Sequence, residues 1–321
     1  MKKTELEKKN IGAIFQKFSS IIILVVIAFI MSVGSENFLQ VNNFLNILNQ
    51  TSILGIIAVG MTFVIITGGI DLSVGPTMAI SGCIMAVGVT QWGLSPVVAI
   101  IFGIIVGTIV GVINGLIITI GKIQPFIATL GTLTAVEGVA LLLTGGLPIT
   151  GMPEAMLALG SSQVGKIPPS LCVFAIVAII GWIILNKTVL GRNTVAVGGN
   201  EEAAKTAGIG AEKTKIIIYA LSGLCCGIAG WVMMGRLNSA NALMGGGYEL
   251  QTITAVALGG TSMAGGVGSI GGTIIGVLTI GVLNNGLDMM NITPFWQKVI
   301  LGTMIVAVVI FDSWRKRKFN D

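Results

Sequence analysis

The sequence predicts an all-α integral membrane protein of about ten transmembrane helices, with both termini on the cytoplasmic side. Three observations carry that expectation. The 321 residues are 54% hydrophobic and only 10% charged, with a mean hydropathy of +0.96, whereas a water-facing domain runs near a quarter charged. Between Phe18 and Asn186 the only charged residues are Glu36, Asp71, Lys122, Glu137, Glu154 and Lys166. The long neutral stretches therefore divide into pieces of roughly 20 residues, the length that crosses a hydrocarbon core of about 30 Å. Basic residues collect in the N-terminal tail, in the segment 187–215 and in the tail Arg315–Lys318. Six spans before the central segment and four after it put all three on one face, the cytoplasmic one.

The expected spans are 18–34, 50–67, 72–90, 94–120, 125–144, 169–186, 215–235, 250–263, 267–288 and 295–312. The first follows Lys2, Lys3, Lys8 and Lys9 and has the outline of a secretory signal. No small-residue cleavage site follows, so it reads as a retained helix. Gly68 and Gly69 separate the second span from the third, and Ile70-Asp71-Leu-Ser-Val-Gly75-Pro76 follows them. Asp71 or Ser73 suits a cap there, and Pro76 suits a first helical turn. A broken helix at membrane depth is tolerated where it faces protein or water.

In the fourth span Gly103, Gly107, Gly111 and Gly115 recur at every fourth position, and Gly268, Gly272 and Gly276 do so later. Such faces let helix backbones approach closely in lipid. Lys122 falls on the cytoplasmic side, and the loop 145–168, with Glu154 against Lys166, falls outside. Asp71 and Glu137 are the acids within the first six spans, and intramembrane acids are candidates for function. Glu137 reads as the better buried of the two.

The most informative polar segment is Gly198-Gly-Asn-Glu-Glu-Ala-Ala-Lys-Thr-Ala-Gly208-Ile209. Asn200 suits an N-cap, with Glu201 and Glu202 in the first turn where the helix dipole favours them. Gly208 suits the left-handed position after the helix. The product is a short cytoplasmic helix exposing Ala203, Ala204 and Ala207. A helix this short is unstable alone in water, which points to docking on a partner.

Several chemistries are excluded. The chain has no histidine, which removes the usual zinc ligand and the usual base of a catalytic triad. Cys83, Cys172, Cys225 and Cys226 lie in apolar runs without metal or redox spacing. Gly266-Val-Gly268-Ser-Ile-Gly271 matches a dinucleotide fingerprint, but it lies between membrane spans rather than in a βαβ unit. No Gly-Lys is followed by Ser or Thr, so the phosphate-binding loop of ATPases is absent. No metal site, resident cofactor or enzymatic activity is expected, and nothing points to nucleic acid. The surrounding partner is lipid.

The chain resembles the permease subunits of ABC importers for ribose and related sugars. The runs that carry the resemblance are Asn42-Asn-Phe-Leu-Asn-Ile-Leu, Ala58-Val-Gly-Met-Thr, Gly69-Ile-Asp-Leu-Ser-Val-Gly75 and Gln124-Pro-Phe-Ile-Ala-Thr-Leu. They continue with Gly191-Arg, Gly198-Gly-Asn-Glu-Glu-Ala-Ala, Tyr248-Glu-Leu, Ala257-Leu-Gly-Gly-Thr-Ser-Met-Ala-Gly-Gly and Leu283-Asn-Asn-Gly-Leu. The order holds nearly end to end.

The resemblance implies one transmembrane permease domain over 1–321 in a bacterial cytoplasmic (inner) membrane. It implies a second permease copy and a cytoplasmic ATPase with two nucleotide-binding halves, which would bind ATP and Mg. It also implies an extracytoplasmic sugar-binding protein, with ribose the favoured sugar. The segment Asn200, Glu201, Glu202, Ala203, Ala204, Ala207, Gly208 and Ile209 then reads as the element that couples to the ATPase. Polarity within apolar spans marks Asp71, Asn114, Thr132, Glu137, Asn284 and Asn285 as candidates for the translocation pathway. The alternative, an ion-coupled secondary transporter of a small polar solute, calls for more ionisable groups near the midplane.

Overall fold

The computed structural model describes residues 20–161 and 168–319. The basic N-terminal tail lies outside these residues, as do Lys166 and the side chains of Arg315–Lys318. The described chain is helical: α1 (Ser20–Gly34), α2 (Val41–Ile66), α3 (Val74–Thr90), α4 (Pro96–Thr119), α5 (Pro125–Thr144), α6 (Glu154–Ser161) and α7 (Pro169–Lys187). It continues with α8 (Val189–Gly199), α9 (Glu201–Thr206), α10 (Ala211–Leu237), α11 (Tyr248–Leu258), α12 (Ile270–Met289) and α13 (Pro294–Phe319). Six of these, α2, α4, α5, α7, α10 and α12, are long and apolar enough to cross a membrane. The 266–271 glycine run is the loop between α11 and α12, with no strand beside it among the described residues.

Two expected limits are corrected. Helix α2 begins at Val41 rather than near 50. The polar Asn43 joins it because its Nδ2 donates to the Phe38 carbonyl at 2.9 Å and so is satisfied while buried. The expected span 250–263 is not one helix. Helix α11 has 11 residues, about 16 Å at 1.5 Å per residue, half of what a hydrocarbon core requires. Gly260, at φ 87°, turns the chain away after Gly259, and a glycine-rich loop completes the segment.

The core forms around α2, whose residues from Thr51 to Ile66 are all buried. This helix is apolar on every face, as a helix enclosed by others should be. One of its buried hydroxyls, that of Thr62, donates to the Ala58 carbonyl at 2.6 Å and lies 2.6 Å from the Thr273 hydroxyl on α12. Helices α7, α10, α11 and α12 surround it. Of the regular glycines of α4, Gly107, Gly111 and Gly115 meet α10, whereas Gly103 meets Ser81 and Met85 of α3. A Cβ on Gly107 would lie 2.7 Å from the Gly223 carbonyl, and one on Gly115 would lie 2.7 Å from the Ile216 Cα. Gly272 and Gly276 approach the α11 backbone in the same way. Helix α5 packs on α3 and α4 with one side only.

Candidate functional site

The segment between α7 and α10 folds locally through its own caps. Thr188 opens α8, its Oγ1 accepting from Gly191 N at 3.3 Å. At Asn200 the backbone is extended (φ −160°, ψ 105°), and Asn200 Oδ1 accepts from Ala203 N at 2.9 Å to start α9. Glu201 and Glu202 fill the first turn and Lys205 the last, as the helix dipole favours. Gly208, at φ 81°, closes the segment, and the Ile209 N–H donates to the Ala204 carbonyl at 3.0 Å.

One expectation about α9 is corrected. Ala204 does not face outward; it is buried against Val197 and Ala211, with Ala196 and Ile209 alongside. Six residues cannot hold a helix in water, so one side must bury an apolar contact, and Ala204 is the side chain that fits. Glu202, Ala203, Ala207 and Gly208 remain exposed. Glu201 turns toward the bundle, where Lys215 Nζ on α10 lies 2.5 Å from Oε2 and Lys205 Nζ lies 3.2 Å from Oε1. The hydrogen bond from Lys215, aided by Lys205, holds the Glu201 carboxyl below its usual range.

Gly198 forms the seat. A Cβ on Gly198 would collide with the Ile66 carbonyl and lie 2.7 Å from Gly266 N. Gly266 N itself donates to the Ile66 carbonyl at 2.8 Å. The end of α8 therefore rests on the break after α2 and on the loop between α11 and α12 together. Nothing separates the exposed α9 from these two breaks except Gly199 and Asn200.

The α2–α3 break is held by a buried polar chain. Asp71, 2% exposed, accepts at Oδ1 from Ser73 N (3.0 Å) and Ser73 Oγ (2.6 Å). At Oδ2 it accepts from Ser222 Oγ on α10 at 3.1 Å. Asn114 Nδ2 on α4 donates to Ser73 Oγ at 2.8 Å. Tyr219 and Thr129 donate to the Ile70 carbonyl at 3.3 and 3.2 Å. Among the described residues no basic side chain pairs with Asp71. The expectation that Glu137 is the better buried acid is reversed: Glu137 is half-buried, because α5 is only half covered.

The other pathway candidates lie apart. Thr132 borders an apolar groove between α4 and α5, its hydroxyl turned back to the Ala128 carbonyl at 3.1 Å. Glu137 lines a cavity of about 50 Å³ with Pro76 and Glu249. Asn284 Nδ2 donates to Gln251 Oε1 at 3.2 Å in a polar cavity beyond α11. Asn285 is 8% exposed, and its Oδ1 has no hydrogen-bond partner among the described residues. Asp71 and Asn114 thus share one network, whereas Thr132, Glu137 and Asn284 each border a different space and Asn285 lies in none of them. The sequence reading missed Ser222, Glu249 and Gln251; for the last two, a charged or amide side chain inside an apolar run was the available signal.

Comparison with known proteins gives a consistent result. The family described as "Branched-chain amino acid transport system / permease component" matches residues 43–309. The ribose import permease protein RbsC of Bacillus subtilis (strain 168) is 46% identical over 96% of this chain and 96% of its own. RbsC of Escherichia coli (strain K12) is 42% identical over 92% of each chain. The L-arabinose transport system permease protein AraH of Escherichia coli (strain K12) is 36% identical over 96% of this chain and 94% of its own. No solved structure matches the chain. With its helical bundle and a full-length match to these proteins, the chain belongs to the family of transport permease components that includes the ribose import permeases.

Proposed function

We propose that this chain is the membrane subunit of an ATP-binding-cassette importer that moves a monosaccharide, with ribose favoured, across the bacterial cytoplasmic membrane. A separate ATPase binds ATP and Mg, and an extracytoplasmic binding protein delivers the sugar. The names of the relatives support the sugar class. The observation that carries the coupling is the seat of α9: an exposed, capped helix of six residues joined through Gly198 to the breaks flanking α3 and α12. Nucleotide binding outside this chain supplies the differential affinity that a two-state transporter needs. The surface of Asn200, Glu202, Ala203, Ala207 and Gly208 docks on the ATPase, while Glu201, Ala204 and Ile209 hold the helix to its own subunit.

The chain forms one domain over 1–321 that crosses the membrane ten times with both ends in the cytoplasm. In this reading α6 is external and α8–α9 are cytoplasmic, and the sides of Lys187, Arg192 and Lys215 support it. A second copy packs against α5. The support is that a Cβ at Gly131 or Gly138 would meet nothing within 4 Å, whereas the four regular glycines of α4 are all closely packed. Thr132 and Glu137 then lie near the axis between copies.

The test is reconstitution of the permease with its ATPase and binding protein in proteoliposomes, followed by uptake of labelled pentoses and hexoses. ATP-dependent ribose uptake is expected. Uptake driven by a proton or sodium gradient in vesicles lacking ATP and the ATPase would overturn the reading in favour of an ion-coupled transporter.

A further inference from the structure

Beyond α11, on the side away from Glu249, lies a cavity of about 180 Å³. Gln50 on α2, Tyr248 and Gln251 on α11, Asn284 and Asp288 on α12 and Gln297 on α13 line it. A volume of that order equals about six waters at roughly 30 Å³ each, or one small polyol. Its chemistry is unusual for this bundle: four carboxamides, a phenol and a carboxylate converge from four helices. The polar groups are only partly spent on one another. Asn284 Nδ2 donates to Gln251 Oε1 at 3.2 Å, and Gln297 Nε2 donates to Asp288 Oδ1 at 2.7 Å. The Gln50 side chain, Gln251 Nε2 and Asn284 Oδ1 make no hydrogen bond among the described residues.

We propose that this cavity is a station for the hydroxyls of a monosaccharide during its passage through the permease. The inference rests on the monosaccharide-import reading above and adds a location to it. A carboxamide offers both a donor and an acceptor, matching a sugar hydroxyl, which is also both. No basic side chain lines the cavity, so an anionic solute finds no counter-charge there, while a neutral polyol meets hydrogen-bonding groups on several sides. The place in the fold agrees. Two of the residues belong to the first turn of α11, which is too short to cross the membrane without the glycine-rich loop after it, and such broken segments are tolerated at membrane depth where they are buried in protein or line a cavity. In the proposed orientation, the end of α12 and the starts of α11 and α13 face outside, where a binding protein would release its sugar.

Gln50→Leu is the primary test because the Gln50 side chain bonds to nothing else among the described residues. Gln251→Leu is the second variant, and each is reconstituted with the ATPase and binding protein. The readouts are labelled ribose uptake and ATP hydrolysis stimulated by the loaded binding protein. Uptake per ATP is expected to fall about fivefold in each variant, the weight of a lost hydrogen bond, while stimulated hydrolysis persists. Gln251→Asn, which keeps the amide, is expected to recover part of the loss. Unchanged uptake per ATP in both leucine variants would overturn the inference and leave the cavity as hydration space. Wild-type complexes that hydrolyse ATP but take up no labelled monosaccharide would instead overturn the monosaccharide reading on which it rests.

Discussion

Lys215 on α10 reaches back to Glu201 at the start of α9, with Nζ 2.5 Å from Oε2 across fourteen residues of sequence. This contact fastens the exposed helix to the helix that also carries Ser222 and Tyr219. The first prediction is that Glu201→Gln or Lys215→Met loosens α9 and lowers uptake per ATP while leaving membrane insertion intact. The charge-reversed pair Glu201→Lys with Lys215→Glu recovers part of the loss. As a partly exposed pair at the protein surface it contributes no more than about 1 kcal/mol to stability. The folded-state pKa of Glu201 is depressed, chiefly by Lys215, so the contribution is present above the ordinary carboxylate range. It is lost as pH falls through and below that range. Amide protection from hydrogen exchange at 201–206 should therefore be high at pH 7 and fall in acid. The Glu201→Gln variant should show the lower, acid-like protection at both.

Gly198 and Gly199 give a matched pair of substitutions. A Cβ at Gly198 would meet the Ile66 carbonyl, whereas one at Gly199 would meet nothing within 4 Å. Gly198→Ala should push the end of α8 off its seat and lower uptake per ATP by about tenfold, within the range of coupling energies carried by single contacts. Gly199→Ala should behave as wild type. Equal behaviour of the two would remove the seat from the coupling route.

How much of this was readable in advance depends on how local each signal is. The caps of α9 were legible because Asn200 and Gly208 act on backbone groups within three or four residues of themselves. The direction of Ala204 was not, since it is decided by Val197 and Ala211 on neighbouring elements. Hydropathy found the six helices long and apolar enough to cross a membrane, but it could not separate α11 from the glycine-rich loop that begins at 259–260. The early start of α2 depended on the carbonyl of Phe38 satisfying Asn43. Polarity flagged Asp71 and Asn114 individually. Their union through Ser73 required knowing that α3, α4 and α10 meet.

Asp71 tests whether that union is structural or needs a charge. Asp71→Asn keeps an oxygen to accept from Ser73, and the Ser222 hydroxyl can accept from the new amide. Near-normal assembly and uptake are expected. Asp71→Ala leaves the Ser73 N–H and the Ser73 and Ser222 hydroxyls without their acceptor, at about 1–3 kcal/mol for each buried group that finds no other. It should lower the unfolding temperature of the purified permease by several degrees. A folded Asp71→Asn permease without uptake would instead assign the carboxylate a role in transport.

The open face of α5 makes the last prediction. Gly131 and Gly138 lie seven residues apart, two turns of helix, so both look out from the same side. The adjoining groove is lined by Ile113, Ile117, Ile127 and Val139. If two copies meet there, the absence of side chains at the glycines lets the α5 backbones approach, as small residues do at helix interfaces in lipid. A cysteine at Gly138 would then lie close to its equivalent, and a disulfide forms only when the two Cα atoms come within about 7 Å. Cys172 is the exposed native cysteine, so the test uses Gly138→Cys in a Cys172→Ser background, oxidised in native membranes. A dimer band on a non-reducing gel is expected. Ala140→Cys, at a position 0% exposed within one copy, should give none. A monomeric Gly138→Cys chain beside a dimeric permease in native mass measurements would move the interface off α5, and with it the axis near which Thr132 and Glu137 are proposed to lie.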